Sequence, residues 1–133
     1  MQSWADTDTL NRYLRRIDGA ILAGRYTLAY KLAYRCLKAY YKAFIQSNMP
    51  EEYQRTSVDL MSVSICRYLY RYYKTKGLPY SDKTILFIAL FSSRLSLMNM
   101  DLKNPSGSSG IDRAVATYAR DSVDRIVRYL LGY

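Results

Sequence analysis

Histidine is absent from this chain of 133 residues. Its absence removes the usual general base near neutral pH and the commonest metal ligand. Cysteine occurs only twice, at Cys36 and Cys66, each inside an apolar segment and far from the other. Two scattered thiols without histidine leave almost nothing for a zinc site, and no cofactor is expected. They read as buried small hydrophobes of a reducing compartment rather than as a disulfide. Long hydrophobic runs are also missing: the longest, Ile85 to Phe91, is far too short to cross a bilayer. The opening MQSWADTDTL is polar and mildly acidic where a signal peptide needs a basic start and an apolar centre. The expectation is a soluble, cytoplasmic protein with no membrane partner. Negative charge is scarce as well, with 11 acidic against 20 basic residues and a net charge of +9. Such a surplus suits an anionic partner, RNA or another polyanion or an acidic protein surface, although solubility alone also favours a net charge away from zero.

What is present argues for one folded domain over residues 1–133. Half of the residues are apolar or aromatic, enough for a core without disulfide or metal staples. Tyrosine is used 15 times against three phenylalanines. Its ring packs like an apolar group while its hydroxyl stays polar, which suits half-buried faces, interfaces and base stacking.

Apolar residues recur at helical spacing through most of the chain. The first helix is expected from Asp6 to Ala23, capped by Thr7 or Asp8, with Leu10, Tyr13, Leu14, Ile17 and Ile21 inward. Gly24 interrupts, and a second helix is expected from Tyr26 to Gln46, burying Ala29, Leu32, Ala33, Cys36, Tyr40, Ala43 and Phe44. SNMPEE marks a stop with a restart at Pro50. A third helix, Ser57 to Lys76, contains RYLYRYYK, whose alternating tyrosines imitate a strand. The spacing of Val58, Met61, Ile65, Leu69 and Tyr72, and the stop at Gly77 and Pro79, favour a helix. A fourth helix, capped by Ser81 or Asp82 and reaching Met98, is apolar on nearly every side, as a central helix would be. A loop from Asp101 to Gly110 precedes a fifth helix over Ile111 to Leu131, with Val115, Tyr118, Ala119, Ser122, Ile126 and Tyr129 or Leu130 inward. The fold class is all-α: a five-helix up-and-down bundle with one irregular loop before its last helix.

Two features could carry function. The outer face of the second helix sets Lys31, Arg35, Lys38 and Lys42 about one turn apart, interleaved with Tyr30, Tyr34 and Tyr41. Cations at that spacing neutralise successive phosphates, and tyrosines between them, Tyr34 and Tyr41 foremost, stack on unpaired bases. Arg67, Arg71 and Lys74 form a second row on the third helix. The alternative is a solvated face whose tyrosines pack on a neighbouring helix or a second subunit. The other feature is SRLSLMNMDLKNPSGSSG, Ser93 to Gly110, where Arg94 is followed by Asn99, Asp101 and Asn104. Arg94 suits a phosphate, or else pairs with Asp101 or caps the helix end. Acidic residues offer no acid–base pair: Glu51 and Glu52 are adjacent and point about 100° apart on a helix. Asp112 belongs at the start of the fifth helix. GSSG lacks the strand and lysine of a phosphate-binding loop.

The order of elements resembles the HEPN superfamily, small helical domains many of which are metal-independent RNases. The likeness rests on LRRIDGAILAGRYTLAYKLAYRCLKAYYKAFI, with Gly24, Tyr26, Ala29, Ala33, Leu37, Lys42 and Ala43 at the family's positions, and on AVATYARDSVDRIVRYLLGY, similar to the abortive-infection type. The family's nuclease motif sets a polar residue beside an arginine, with a histidine several residues on. Arg94 matches the arginine, Leu95 stands in place of the polar neighbour, and no histidine follows. The resemblance implies a non-catalytic helical domain, a homodimer, binding RNA or a partner protein in a prokaryotic defence or toxin–antitoxin system. A dimerisation module without a nucleic-acid role, and an altered RNase using Arg94, are the alternatives.

Overall fold

Asp6, rather than Thr7 or Asp8, starts the first helix: its backbone is extended, and its carboxylate accepts a hydrogen bond from the Thr9 N–H at 2.8 Å. This bond holds the Asp6 carboxyl below its ordinary range and satisfies a donor that the first turn leaves unpaired. The computed structural model describes residues 6–53, 57–79, 82–102 and 110–132. It contains five α-helices: α1 Thr7–Leu22, α2 Tyr26–Asn48, α3 Val58–Lys76, α4 Asp82–Asp101 and α5 Arg113–Gly132, with a 3-10 turn at Pro50–Glu52. The all-α bundle expected from the spacing is what forms, with no strand among the described residues. RYLYRYYK lies within α3. Ser81 and residues 103–109, where the fourth helix's alternative cap and most of the polar loop were placed, lie outside the described residues.

Gly24 and Gly77 make the two sharp stops, at φ 75° and 65°, backbone angles at which any side chain is strained. Gly77 closes α3 through N–H bonds to the carbonyls of its last turn. The helices run up and down. Tyr40 Oη donates to the Asp6 carbonyl at 3.0 Å across α1 and α2. Along α3 and α4, Ser96 bonds the Asp59 N–H at 3.1 Å while Cys66 reaches the Ile85 carbonyl at 3.5 Å, as an antiparallel pair requires. Across α1 and α5, Arg120 holds Asp18 through two nitrogens at 3.0 and 3.3 Å, and Arg128 donates to Asn11. Arg120 also reaches Asp121 and Asp124, so a long-range ion pair is tied into the helical-spacing pairs of α5.

The centre of the bundle is α2, not α4. α2 packs against all four other helices and buries Ala29, Tyr30, Leu32, Ala33, Cys36, Leu37, Tyr40, Tyr41, Phe44 and Ile45. α4 lies mainly along α3, and Leu86, Leu90, Leu97 and Met100 remain exposed. On α5, Ala119, Ser122, Ile126 and Leu130 are buried as expected, but Ala116, Val123 and Val127 join them and Tyr118 is exposed.

Tyrosine hydroxyls are placed so that the core tolerates them. Tyr41 Oη meets Ser92 Oγ at 2.6 Å, and Tyr73 Oη meets Tyr129 Oη at 2.8 Å. Burial pushes Tyr30 and Tyr40 up to about 12 and raises Tyr41 and Tyr129 as well. The folded state therefore favours the neutral phenols. Their contribution is complete below the ordinary value near 10 and fades as pH rises through about 12. Urea midpoints are expected to fall over that window, with phenolate absorbance from these four rings appearing only as the protein unfolds. Four rings ionising freely in the native protein would contradict this packing.

Candidate nucleic-acid interface

Of the cation row on α2, Lys31, Arg35 and Lys38 open onto one cleft of about 310 Å³, with Tyr34 beside them and Asn99 of α4 on the other wall. The cause is helical spacing: Lys31, Arg35 and Lys38 follow one another at about one turn along one flank of α2, opposite Asn99 of α4. No carboxylate lines the cleft, and Lys31, Arg35 and Lys38 form no ion pair among the described residues. Asn99 is only 9 % exposed, and its amide makes no hydrogen bond to a described residue. Its amide therefore reaches the solvent of the cleft, where its donors and acceptor are available to a polar ligand.

A second cleft of about 320 Å³ lies between α2, α4 and α5, lined in part by Tyr30 and Met98, the chain neighbours of Lys31 and Asn99. Tyr30, Phe91, Arg94, Met98 and Tyr118 surround it, with small residues of α5 at its base. Arg94 neither pairs with Asp101 nor caps the end of α4 among the described residues. It sits in this aromatic cleft, close enough to Tyr30 to oppose part of the rise in that phenol's pKa. Tyr118 is 54 % exposed and makes a T-shaped contact with Phe91, ring centroids 5.9 Å apart. Its spacing on α5 suits the core, so the sequence does not mark it as a site residue; the packed helices place it here.

The remaining expected site residues are dispersed. Tyr41 is fully buried and bonded to Ser92, so it is no stacking surface. Tyr30 is also buried rather than outward, although its edge reaches the Arg94 cleft. Lys42 is half-buried one turn beyond Lys38. Arg67, Arg71 and Lys74 are exposed along α3, where Arg67 is paired with Glu52 at 3.3 Å and Lys74 lies over the Tyr70 ring. Asp112 caps α5 by accepting from the Val115 N–H at 2.9 Å.

No histidine or carboxylate lines either cleft. Burial raises Cys36 to about 12 and Cys66 to about 11, and no group of three or more metal-ligating side chains occurs among the described residues. No described helix is long and apolar enough to cross a membrane. No family model, curated protein or solved structure matches the chain.

Proposed function

We propose that this protein binds single-stranded nucleic acid, RNA by its resemblance to HEPN domains, in the seam between α2 and α4, without cleaving it. The convergence of Lys31, Arg35 and Lys38 on one carboxylate-free cleft, beside the Arg94 cleft, carries this reading. Four cations in these two clefts suit successive phosphates, with Arg94 able to grip one through two nitrogens. Tyr34 and Tyr118 offer rings to unstacked bases, and Asn99 offers an amide to a sugar hydroxyl or a base edge. Clefts of this size take splayed nucleotides rather than a duplex. Cleavage of a ribose chain needs a base to remove the 2′-hydroxyl proton, and the lining residues include no histidine or carboxylate.

Fluorescence anisotropy with a labelled single-stranded oligonucleotide, titrated over salt, tests the reading. Four phosphate contacts predict a slope of about −3 for log affinity against log salt. Arg94→Ala is expected to flatten that slope by about 0.7. Tyr118→Ala is expected to weaken binding by about tenfold at every salt concentration. The oligonucleotide should be recovered intact. Salt-independent affinity, or binding indifferent to both substitutions, would reject the site; cleavage abolished by Arg94→Ala would reject the non-catalytic assignment.

A further inference from the structure

A groove of about 340 Å³ runs along the α1–α2 hairpin, lined only by residues of these two helices and the turn between them. Three arginines line it, Arg16 of α1, Arg25 at the turn and Arg35 of α2, and no carboxylate does. None of the three side chains makes an ion pair or a hydrogen bond among the described residues. By contrast, Arg67, Arg120 and Arg128 are each held by a glutamate or aspartate. The fold gathers three like charges in one groove and leaves them unneutralised, an arrangement that favours an anionic ligand. The arginines stand in file. The Arg25 N–H bonds the Ala20 carbonyl at the turn, and Tyr40 reaches Asp6 at the far end, which sets Arg16 about level with Tyr30 of α2. Arg25 and Arg35 are ten residues apart, about 15 Å, and Arg16 falls about halfway between them on the opposite wall. Between the charges the floor is aliphatic, with Ala20 and Ala23 from the α1 side and Leu28 and Leu32 from α2. No aromatic ring lines this groove, in contrast with the two clefts of the nucleic-acid interface.

We propose that this groove docks an acidic amphipathic helix of a different protein. The apolar stripe of that helix rests on the aliphatic floor, and carboxylates on its two flanks take the three guanidinium forks. Helical geometry specifies the partner: carboxylates at about i, i+6 and i+11 flank an apolar stripe at about i+1, i+4, i+5 and i+8. An unstacked base finds no ring here to stack on. A lipid surface would leave Ala20 and Leu32, buried between the helices, untouched. A second copy of this chain has no such helix to offer. None of the five helices carries more than two acidic residues, and Asp121 and Asp124 of α5 are already taken by Arg120 and Arg128. Arg35 lines both this groove and the cleft of Lys31 and Lys38, so a docked helix and a bound strand compete for it. That competition, unlike the docking itself, rests on the nucleic-acid function proposed above.

Fluorescence anisotropy of the full chain with a labelled helical peptide of that pattern, leucine in the stripe and glutamate at the three flanking positions, tests the docking without nucleic acid. Saturable binding is expected, at least about tenfold tighter than to a peptide of the same composition with its glutamates moved out of register. Arg16→Ala and Arg25→Ala should each weaken it by about tenfold, and Leu28→Glu by at least as much. Circular dichroism should not change, since all three side chains are exposed in the free protein. Both arginine variants should keep their oligonucleotide affinity within about threefold, because neither residue lines the α2–α4 seam. Equal binding of the two peptides, or indifference to the substitutions, overturns the site. Oligonucleotide affinity reduced about tenfold in the Arg16 and Arg25 variants would make the groove a continuation of the strand's path and reject the helix. Capture by phosphatidylserine vesicles in place of the peptide would reject it in favour of a membrane. In protein that binds the oligonucleotide directly, unlabelled oligonucleotide should displace the peptide; a peptide that stays bound overturns the shared use of Arg35.

Discussion

Reversing Lys31, Arg35 and Lys38 together to glutamate is expected to weaken oligonucleotide binding by about 100-fold or more at 0.1 M salt. The three side chains share one cleft with no neutralising carboxylate, so the change replaces three charge-assisted contacts by three repulsions. The informative control is the same reversal at Arg67, Arg71 and Lys74 on α3. Both triple substitutions lower the net charge equally, and general attraction between a basic protein and a polyanion would suffer equally from either. Screening over about 10 Å at this salt confines the larger loss to residues that touch the strand. The α3 variant is accordingly expected to bind within about threefold of the wild type. Circular dichroism should be unchanged for both, because Arg35, Arg67, Arg71 and Lys74 are exposed and Lys31 and Lys38 are not fully buried. Equal losses in the two variants would mean that charge, and not the cleft, governs binding.

Tyr41→Ala is expected to cost about 4 kcal/mol or more, a large share of the stability of an ordinary domain. The ring is fully buried in the central helix, and its removal leaves a cavity where α2, α3 and α4 approach one another. It also strands Ser92, itself fully buried, without its 2.6 Å partner. Tyr41→Phe keeps the ring and loses only the hydroxyl, for about 1–2 kcal/mol. Urea unfolding measures both changes. The Phe variant also decides the role of the residue: with oligonucleotide affinity unchanged, Tyr41 is a core residue, as its burial requires. A Tyr41→Ala protein as stable as the wild type would be incompatible with this packing.

Tyr41 shows how far one sequence carries such an assignment. Its position next to a row of cations is legible, and so is the amphipathic character of a tyrosine. Its burial is not, because a phenol is tolerated in a core only when a partner such as Ser92 arrives from another helix, 51 residues away. Tyr118 is the reverse case. Its spacing suits the core of α5, yet the buried face takes in Ala116, Val123 and Val127 and leaves Tyr118 outward. Arg94 was identifiable as an arginine near a helix end beside a polar stretch. That it would stand among aromatic rings rather than pair with Asp101 depended on the approach of α5 to α4.

Local chemistry determined the helices, their stops at Gly24 and Gly77, the antiparallel turns and the surplus of positive charge. Each follows from residues close together in the chain: periodic apolar side chains, caps, and glycines at positive φ. The order of burial was decided only in three dimensions. The helix most uniformly apolar in sequence, α4, lies at the edge, while α2, striped with lysines and tyrosines, occupies the middle. Hydrophobicity fixes how much surface a helix gains by burying, but the number of neighbours it meets depends on all five helices packing at once. That packing brought Lys31, Arg35, Lys38 and Asn99 to one wall, and it left the leucines of α4 facing outward.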